Sequence, residues 1–199
     1  MSEKIDVIMD DAKIGRALTR IAHEILEHNS GAESIAIIGI LTRGAMLAKR
    51  IAGIIEKIES TKVDLGLMDI SLYRDDVHHK LDQPVVQRTE ILFPIVNRNV
   101  ILIDDVLFTG RTIRAALDQI VDFGRPDSIQ LAVLVDRGHR ELPIKADYVG
   151  LNIPTRKGDQ VVVEVAEKDG QDRVYITPHS STKQARLANS QNADAGGES

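Results

Sequence analysis

The sequence predicts a single α/β domain, a central mostly parallel sheet flanked by helices, and three observations predict it. Ser34 to Leu41, Val100 to Ile103 and Ile129 to Val135 are near-continuous aliphatic runs rich in β-branched residues, the pattern of strands buried on both faces. The first two lead through a short glycine-containing loop into an apolar helical pattern, the strand-loop-helix unit of a parallel sheet. With 199 residues, 43% of them hydrophobic, the chain suffices for one sizeable domain and hardly for two. Composition narrows function as well. The chain has no cysteine, which excludes disulfides, thiolate metal sites and a cysteine nucleophile. A net charge of -5 argues against a wholesale nucleic-acid coat while leaving room for a local basic face. No run is long and apolar enough for a membrane span or a secretory core, so a cytoplasmic protein is expected.

In chain order, Asp11 reads as the cap of a first helix whose stripe is Ile14, Leu18, Ile21 and Ile25, and Asn29-Ser30-Gly31 ends it. Arg16, Thr19, Arg20 and His23 fall on another face, which charge alone would leave in solvent. After the strand from Ser34, Thr42-Arg43-Gly44 opens a second helix with Leu47, Ile51, Ile54, Ile55 and Ile58 on one side. A cation and a glycine at that junction make an anion site, although the tripeptide alone is a weak signal. Val63 to Leu72 alternates with a phase change near Gly66, predicting a strand with a bulge. Val77 to Ile91 is polar and aperiodic, and its adjacent His78 and His79 read as loop histidines rather than metal ligands.

The densest chemistry follows Asn99. The strand Val100 to Ile103 stops on Asp104-Asp105, and Thr109-Gly110-Arg111-Thr112 opens a helix carrying Ile113, Leu117, Ile120 and Val121. Unpaired N–H groups and the positive dipole end at such a start suit a phosphate. Two carboxylates cannot hold that anion. They suit adjacent hydroxyls of a sugar, or a magnesium shell reached through water. Each feature alone favours a solvated acidic pair and an ordinary helix start; their ordered combination points to a ribose 5-phosphate.

Phe123-Gly124-Arg125-Pro126 stops this helix. The strand Ile129 to Val135 ends in Asp136-Arg137-Gly138-His139-Arg140-Glu141-Leu142-Pro143, either a solvated turn or a place where a base is read, because parallel strands put their carboxyl ends together. Tyr148 to Gly150 and Val161 to Val165 read as closing strands, with Val174 to Ile176 pairing with the latter. Residues 1–176 are thus the domain. Residues 177–199, rich in Ser, Gln, Asn, Ala and Gly, are expected to be a disordered tail.

The run from Val100 to Thr112 resembles the phosphoribosyl-pyrophosphate (PRPP) signature of type I phosphoribosyltransferases. The resemblance implies that fold, with a small hood and a flexible active-site loop. PRPP would be bound along Val100, Ile101, Leu102 and Ile103, with Asp104 and Asp105 on the ribose hydroxyls and Val106, Leu107, Phe108, Thr109, Gly110, Arg111 and Thr112 around the 5-phosphate. It further implies that Thr42, Arg43 and Gly44 form the pyrophosphate loop, that Tyr73 and Arg74 sit at the hinge of the flexible loop with Arg74 meeting pyrophosphate, and that Arg137 reads the nucleobase. Asp104, Asp105, Arg43 and Arg74 would carry catalysis, with Mg2+ entering alongside PRPP and no direct protein metal ligand.

Three further stretches, Leu18 to Glu24, Leu72 to Asp76 and Leu131 to Pro143, extend the resemblance from about residue 7 to residue 176 to the PyrR family. Its members are bifunctional pyrimidine operon regulators and uracil phosphoribosyltransferases. This implies conversion of uracil and PRPP to UMP and pyrophosphate. It also implies binding of UMP and other uridine nucleotides, nucleotide-dependent binding of pyrimidine-operon leader mRNA with attenuation of transcription, and a homodimer or higher homo-oligomer. The RNA face would comprise Thr19, Arg20, His23, His28 and Lys145. Here the chain departs from the family: His28 and Lys145 replace common arginines, and Leu151 a usual lysine. Lysine keeps charge but loses the bidentate fork, and a neutral histidine loses both. Two other readings therefore stand beside the bifunctional one: a uracil salvage enzyme without RNA regulation, and a PRPP- or nucleotide-sensing module with negligible turnover.

Overall fold

The computed structural model describes residues 6–71 and 89–178. Its centre is a five-stranded, all-parallel sheet in the order β3-β2-β4-β5-β6. The strands are β2 (Ile35–Ile40), β3 (Asp64–Met68), β4 (Asn99–Leu107), β5 (Ser128–Asp136) and β6 (Tyr148–Asn152). Helices α1 (Asp11–Asn29) and α2 (Arg43–Glu59) cover one face, and α3 (Arg111–Ile120) the other.

The period of two along a strand divides β4 between two cores. Ile101 and Ile103 pack with Ile21 and Ile25 of α1 and with Leu47 and Ile51 of α2. Val100 and Leu102 pack with Ile113, Ala116 and Ile120 of α3. Coverage of both faces is why the strand reads as unbroken aliphatic sequence.

A second, antiparallel sheet of three strands, β1-β8-β7, forms the hood: β1 is Asp6–Asp10, β7 Gln160–Glu164 and β8 Arg173–Thr177. The expected pairing of Val161 to Val165 with Val174 to Ile176 is the β7–β8 ladder. The strand beginning at Tyr148 instead closes the parallel sheet beside β5. A short helix α4 (Ala166–Asp169) joins β7 to β8.

The structure corrects four local readings. Asp10, not Asp11, caps α1: its backbone is still extended, and its Oδ1 accepts the Lys13 N–H at 2.8 Å. Asp10 also ends β1, a strand that sequence pattern does not reveal, since of its five residues only Met9 is buried and its partner β8 lies far along the chain. β3 ends at Met68 and carries no bulge, pairing residue by residue with Ala36 to Ile40. Gly66 is where residues 89–93 cross it: Leu67 and Glu90 exchange backbone hydrogen bonds, and a Cβ at Gly66 would press on Ile91 at 3.0 Å. Finally, β4 does not stop at the acidic pair but runs on to Leu107, held by parallel pairing of Val106 and Leu107 with Val135 and Asp136. The domain reaches Thr177 at the end of β8, and residues 179–199 lie outside the described residues, as do Tyr73, Arg74, His78 and His79.

Candidate active site

Chain order reverses beside β2, where β3 lies on one side and β4 on the other, so the loops leaving β2 and β4 diverge and open a crevice at their carboxyl ends. The first of these loops is Thr42-Arg43-Gly44, entered through a cis peptide between Leu41 and Thr42. Thr42 occupies the cap position of α2 without a side-chain capping bond, so its hydroxyl is not spent there. Gly44 lets α2 start against β4: a Cβ would stand 2.7 Å from the Ile103 carbonyl oxygen and 3.0 Å from Asp104 Cα. Glycine is thus required by contact, and it brings the two loops together.

Thr42, Arg43, Asp104, Asp105 and Thr112 line one cavity of about 210 Å³. Asp104 Oδ1 accepts the Asp105 N–H and Asp105 Oδ1 accepts the Val106 N–H, each at 2.9 Å. Burial pushes the Asp105 carboxyl above the usual aspartate range, against the opposing pull of its hydrogen bonds and of Arg43. Next to this cavity a second one, of about 240 Å³, is formed by Val106 to Ile113 with Glu141 on its rim. It lies at the amino end of α3. Gly110 makes that turn at φ 92° and supplies no side-chain cap; the Arg111 N–H reaches Thr109 Oγ1 at 3.4 Å, and amides at a helix start of this kind suit an anion.

The loop after β5 is tied to this phosphate-sized cradle. Glu141 and Leu142 both donate N–H bonds to the Thr109 carbonyl at 3.0 Å, and Glu141 pairs with Arg111. Arg140 donates to the Phe108 and Ile144 carbonyls and pairs with Asp136. Arg137, 5% exposed, lies over the Phe108 ring at 4.0 Å, with Nε on Thr155 Oγ1 and Nη2 on the Arg156 carbonyl. Its desolvation lowers the guanidinium pKa. Arg137 therefore seats Phe108 beside the crevice, with two of its three side-chain nitrogens already engaged.

Arg43 is engaged as well. Its Nε and Nη2 hold Asp169 of α4 at 3.0 and 2.9 Å, which raises its own pKa and keeps the Asp169 carboxyl below the ordinary range. Sequence pattern gives no sign of Asp169, which comes to the site from a four-residue helix too short to show a period, whereas Glu141 lies in the loop after β5 that the sequence marks out for its charge. Among the described residues, no three carboxylate or imidazole groups gather as a metal cage. The donor set is a pair of carboxylates facing anion loops.

The residues of the expected RNA face gather around α1 and the free edge of β6. Thr19 and His23 are exposed one turn apart, and the Thr19 hydroxyl donates to the Gly15 carbonyl at 2.9 Å. Arg20, itself exposed, pairs with Glu24 and donates to the carbonyls of Val149 and Gly150, at 3.0 and 2.7 Å, tying α1 to β6. The exposed His28 meets Tyr148 edge-on at 6.1 Å, and Lys145 is exposed in the loop before β6. No helix among the described residues is long and apolar enough to cross a membrane.

Comparison with known proteins matches residues 5–168 to the phosphoribosyl transferase domain family. The bifunctional protein PyrR of Deinococcus radiodurans is 57% identical over 169 residues, 85% of this chain and 92% of the relative. That of Bacillus subtilis is 56% identical over 172 residues, covering 85% and 95%. Among solved structures, Trypanosoma cruzi hypoxanthine phosphoribosyl transferase aligns with a TM-score of 0.69 at 19% identity, covering 94% of this chain and 96% of that one. A hypoxanthine phosphoribosyltransferase from Staphylococcus aureus gives 0.63 at 21%, covering 85% and 90%. At such identity the two structures share the fold.

Proposed function

The chain belongs to the phosphoribosyl transferase family and, within it, to the bifunctional PyrR proteins, and from that premise we propose how its residues divide the work. Its function is regulation of pyrimidine-operon expression through leader mRNA together with uracil phosphoribosyltransferase activity, the formation of UMP and pyrophosphate from uracil and PRPP.

The observation that carries the site assignment is the shared cavity of Thr42, Arg43, Asp104 and Asp105 beside the α3 cradle. The spacing suits PRPP laid across it: 5-phosphate on the amides of Val106 to Thr112, ribose hydroxyls on Asp104 and Asp105, pyrophosphate toward Thr42, Arg43 and Gly44. Arg74, from the segment 72–88, is assigned to pyrophosphate by family resemblance. Uracil would stand near Phe108, whose ring Arg137 holds in place.

In the reaction the bond from ribose C1 to the pyrophosphate oxygen breaks, its electron pair leaving with pyrophosphate. Uracil N1 forms the new bond to C1 and releases its proton to solvent. The chain supplies position and charge rather than a nucleophile: the α3 amides and acidic pair hold the sugar, and Arg43 faces the negative charge that grows on the leaving group. The Asp104 and Asp105 carboxylates would help hold, through water, a Mg2+ ion entering with PRPP, and that ion would neutralise pyrophosphate charge. The first test is UMP formation by purified protein from uracil, PRPP and Mg2+. Use of hypoxanthine or guanine in place of uracil would overturn the base assignment.

For the regulatory activity we assign Thr19 and His23 to RNA contact and Arg20 to support of β6, with His28 and Lys145 flanking. Uridine nucleotides would act from the transferase site. We place the protein in the cytoplasm with its RNA, as a homodimer or larger. A salvage enzyme without RNA regulation is the second reading, favoured by the hydrogen bonds that already engage Arg20 within the chain. Binding to leader transcript against scrambled RNA, with and without UMP, separates the two.

A further inference from the structure

We propose that Asp169 of the hood is the positioning residue for Arg43, fixing its guanidinium so that its free edge faces the pyrophosphate of PRPP. The inference rests on the site reading above and adds a residue to it. The geometry begins with Asp169 itself, which is held before it holds anything else. Its Oδ2 accepts the Val165 N–H at 2.9 Å, and its own N–H donates to the Val165 carbonyl at 2.7 Å, closing the turn of α4. The hood is in turn anchored to α2, because Arg50 grips Glu167 and Asp172. Asp169 is therefore a fixed carboxylate set opposite the first residue of α2.

Arg43 uses Nε and one hydrogen of Nη2 on that carboxylate. A guanidinium carries five N–H donors, so three remain, two on Nη1 and one on Nη2. The side chain is 32% exposed against 17% for Asp169, and it lines the cavity that holds Asp104 and Asp105. An arginine on a flexible stem would otherwise lose several rotamers on meeting an anion; one already clamped along its Nε edge has met that cost in the folded protein. The other end of the same helix start is fixed by Gly44 against β4. Asp169 and Gly44 together hold the arginine over the crevice from both sides, and neither belongs to the cradle that receives the 5-phosphate.

The test uses the full-length protein with Arg43→Ala, Asp169→Ala and the double variant, reading KM for PRPP and for uracil separately alongside thermal unfolding. Asp169→Ala is expected to raise KM for PRPP about tenfold, the scale of one charge-assisted hydrogen bond, with KM for uracil little changed. The double variant is expected to be no worse than Arg43→Ala, since Asp169 acts through Arg43. An unchanged or lowered KM for PRPP in Asp169→Ala, or additive losses in the double variant, would overturn the inference while leaving the site reading in place. If Arg43→Ala itself leaves KM for PRPP unchanged, the pyrophosphate assignment fails and the inference falls with it. A lowered unfolding temperature with both KM values unmoved would make Asp169 a hood staple only and overturn the proposal.

Discussion

The guanidinium carbon of Arg137 lies over the ring of Phe108, 4.0 Å from its centre, joining the end of β5 to the loop that follows β4. A cation so placed, desolvated and held by Thr155 and the Arg156 carbonyl, fixes an aromatic ring at the mouth of the crevice. Arg137→Ala is expected to destabilise the domain by about 1–3 kcal/mol through the lost stack and hydrogen bonds. It should also raise KM for uracil more than KM for PRPP. Arg137→Lys should restore little, because an ammonium lacks the planar fork. Thermal unfolding with uracil-dependent kinetics checks both.

The acidic pair carries opposite signs for function and stability. Asp104→Asn with Asp105→Asn should lose PRPP use by at least about a hundredfold, the scale of two charge-assisted contacts, while the protein stays folded. Burial raises the Asp105 pKa in the folded state, so the folded chain binds the proton more tightly than the unfolded one. Stability at this residue is therefore greatest at acid pH and declines as pH rises from the ordinary aspartate range through the folded pKa. Asp105→Asn, which cannot ionise, should unfold at a higher temperature than wild type at neutral pH. That difference should vanish once the pH falls below the ordinary aspartate range.

Arg50 reverses that sign in the hood. Hydrogen bonds from Arg50 hold the carboxyls of Asp172 and Glu167 below their ordinary values. Their stabilising contribution is present above those ordinary values and lost as pH falls through the lowered folded ones. Arg50→Met should lower the unfolding temperature at neutral pH, and the gap from wild type should narrow on acidification. Melting curves across pH test this, and a gap constant with pH would assign the Arg50 effect to packing alone.

On the outer surface of α1, Thr19→Ala and His23→Ala should each weaken leader-RNA binding and leave UMP synthesis intact, because both residues are exposed and neither lines the two cavities of the site. Arg20→Ala should instead lower thermal stability, since it strips the cover from the Val149 and Gly150 carbonyls. Filter binding over a range of salt, set beside unfolding curves, distinguishes Thr19 and His23 from the hydrogen-bonded arginine.

Some of this was legible in local chemistry and some could not be. Val100 to Thr112 announces its strand, its acidic pair and its helix start within one window, because covering both faces of a strand forces continuous aliphatics and a phosphate-sized turn forces Gly110. Thr42-Arg43-Gly44 was legible as a loop leading from a buried strand into a helix for the same reason. The glycine's purpose was not, since the Ile103 carbonyl it must avoid comes from another strand.

By itself, then, the sequence determined the parallel sheet, its helices and the two glycine-containing loops that lead from β2 and β4 into helices, all of them properties of neighbouring residues. Only the tertiary structure decided that β4 continues past its carboxylates, that β1 pairs with β8, and that Arg43 meets Asp169 while Arg137 meets Phe108. Those contacts join elements distant along the chain. A hydrogen bond or a stack depends on where two backbones arrive in space, and no period or spacing within either segment records that.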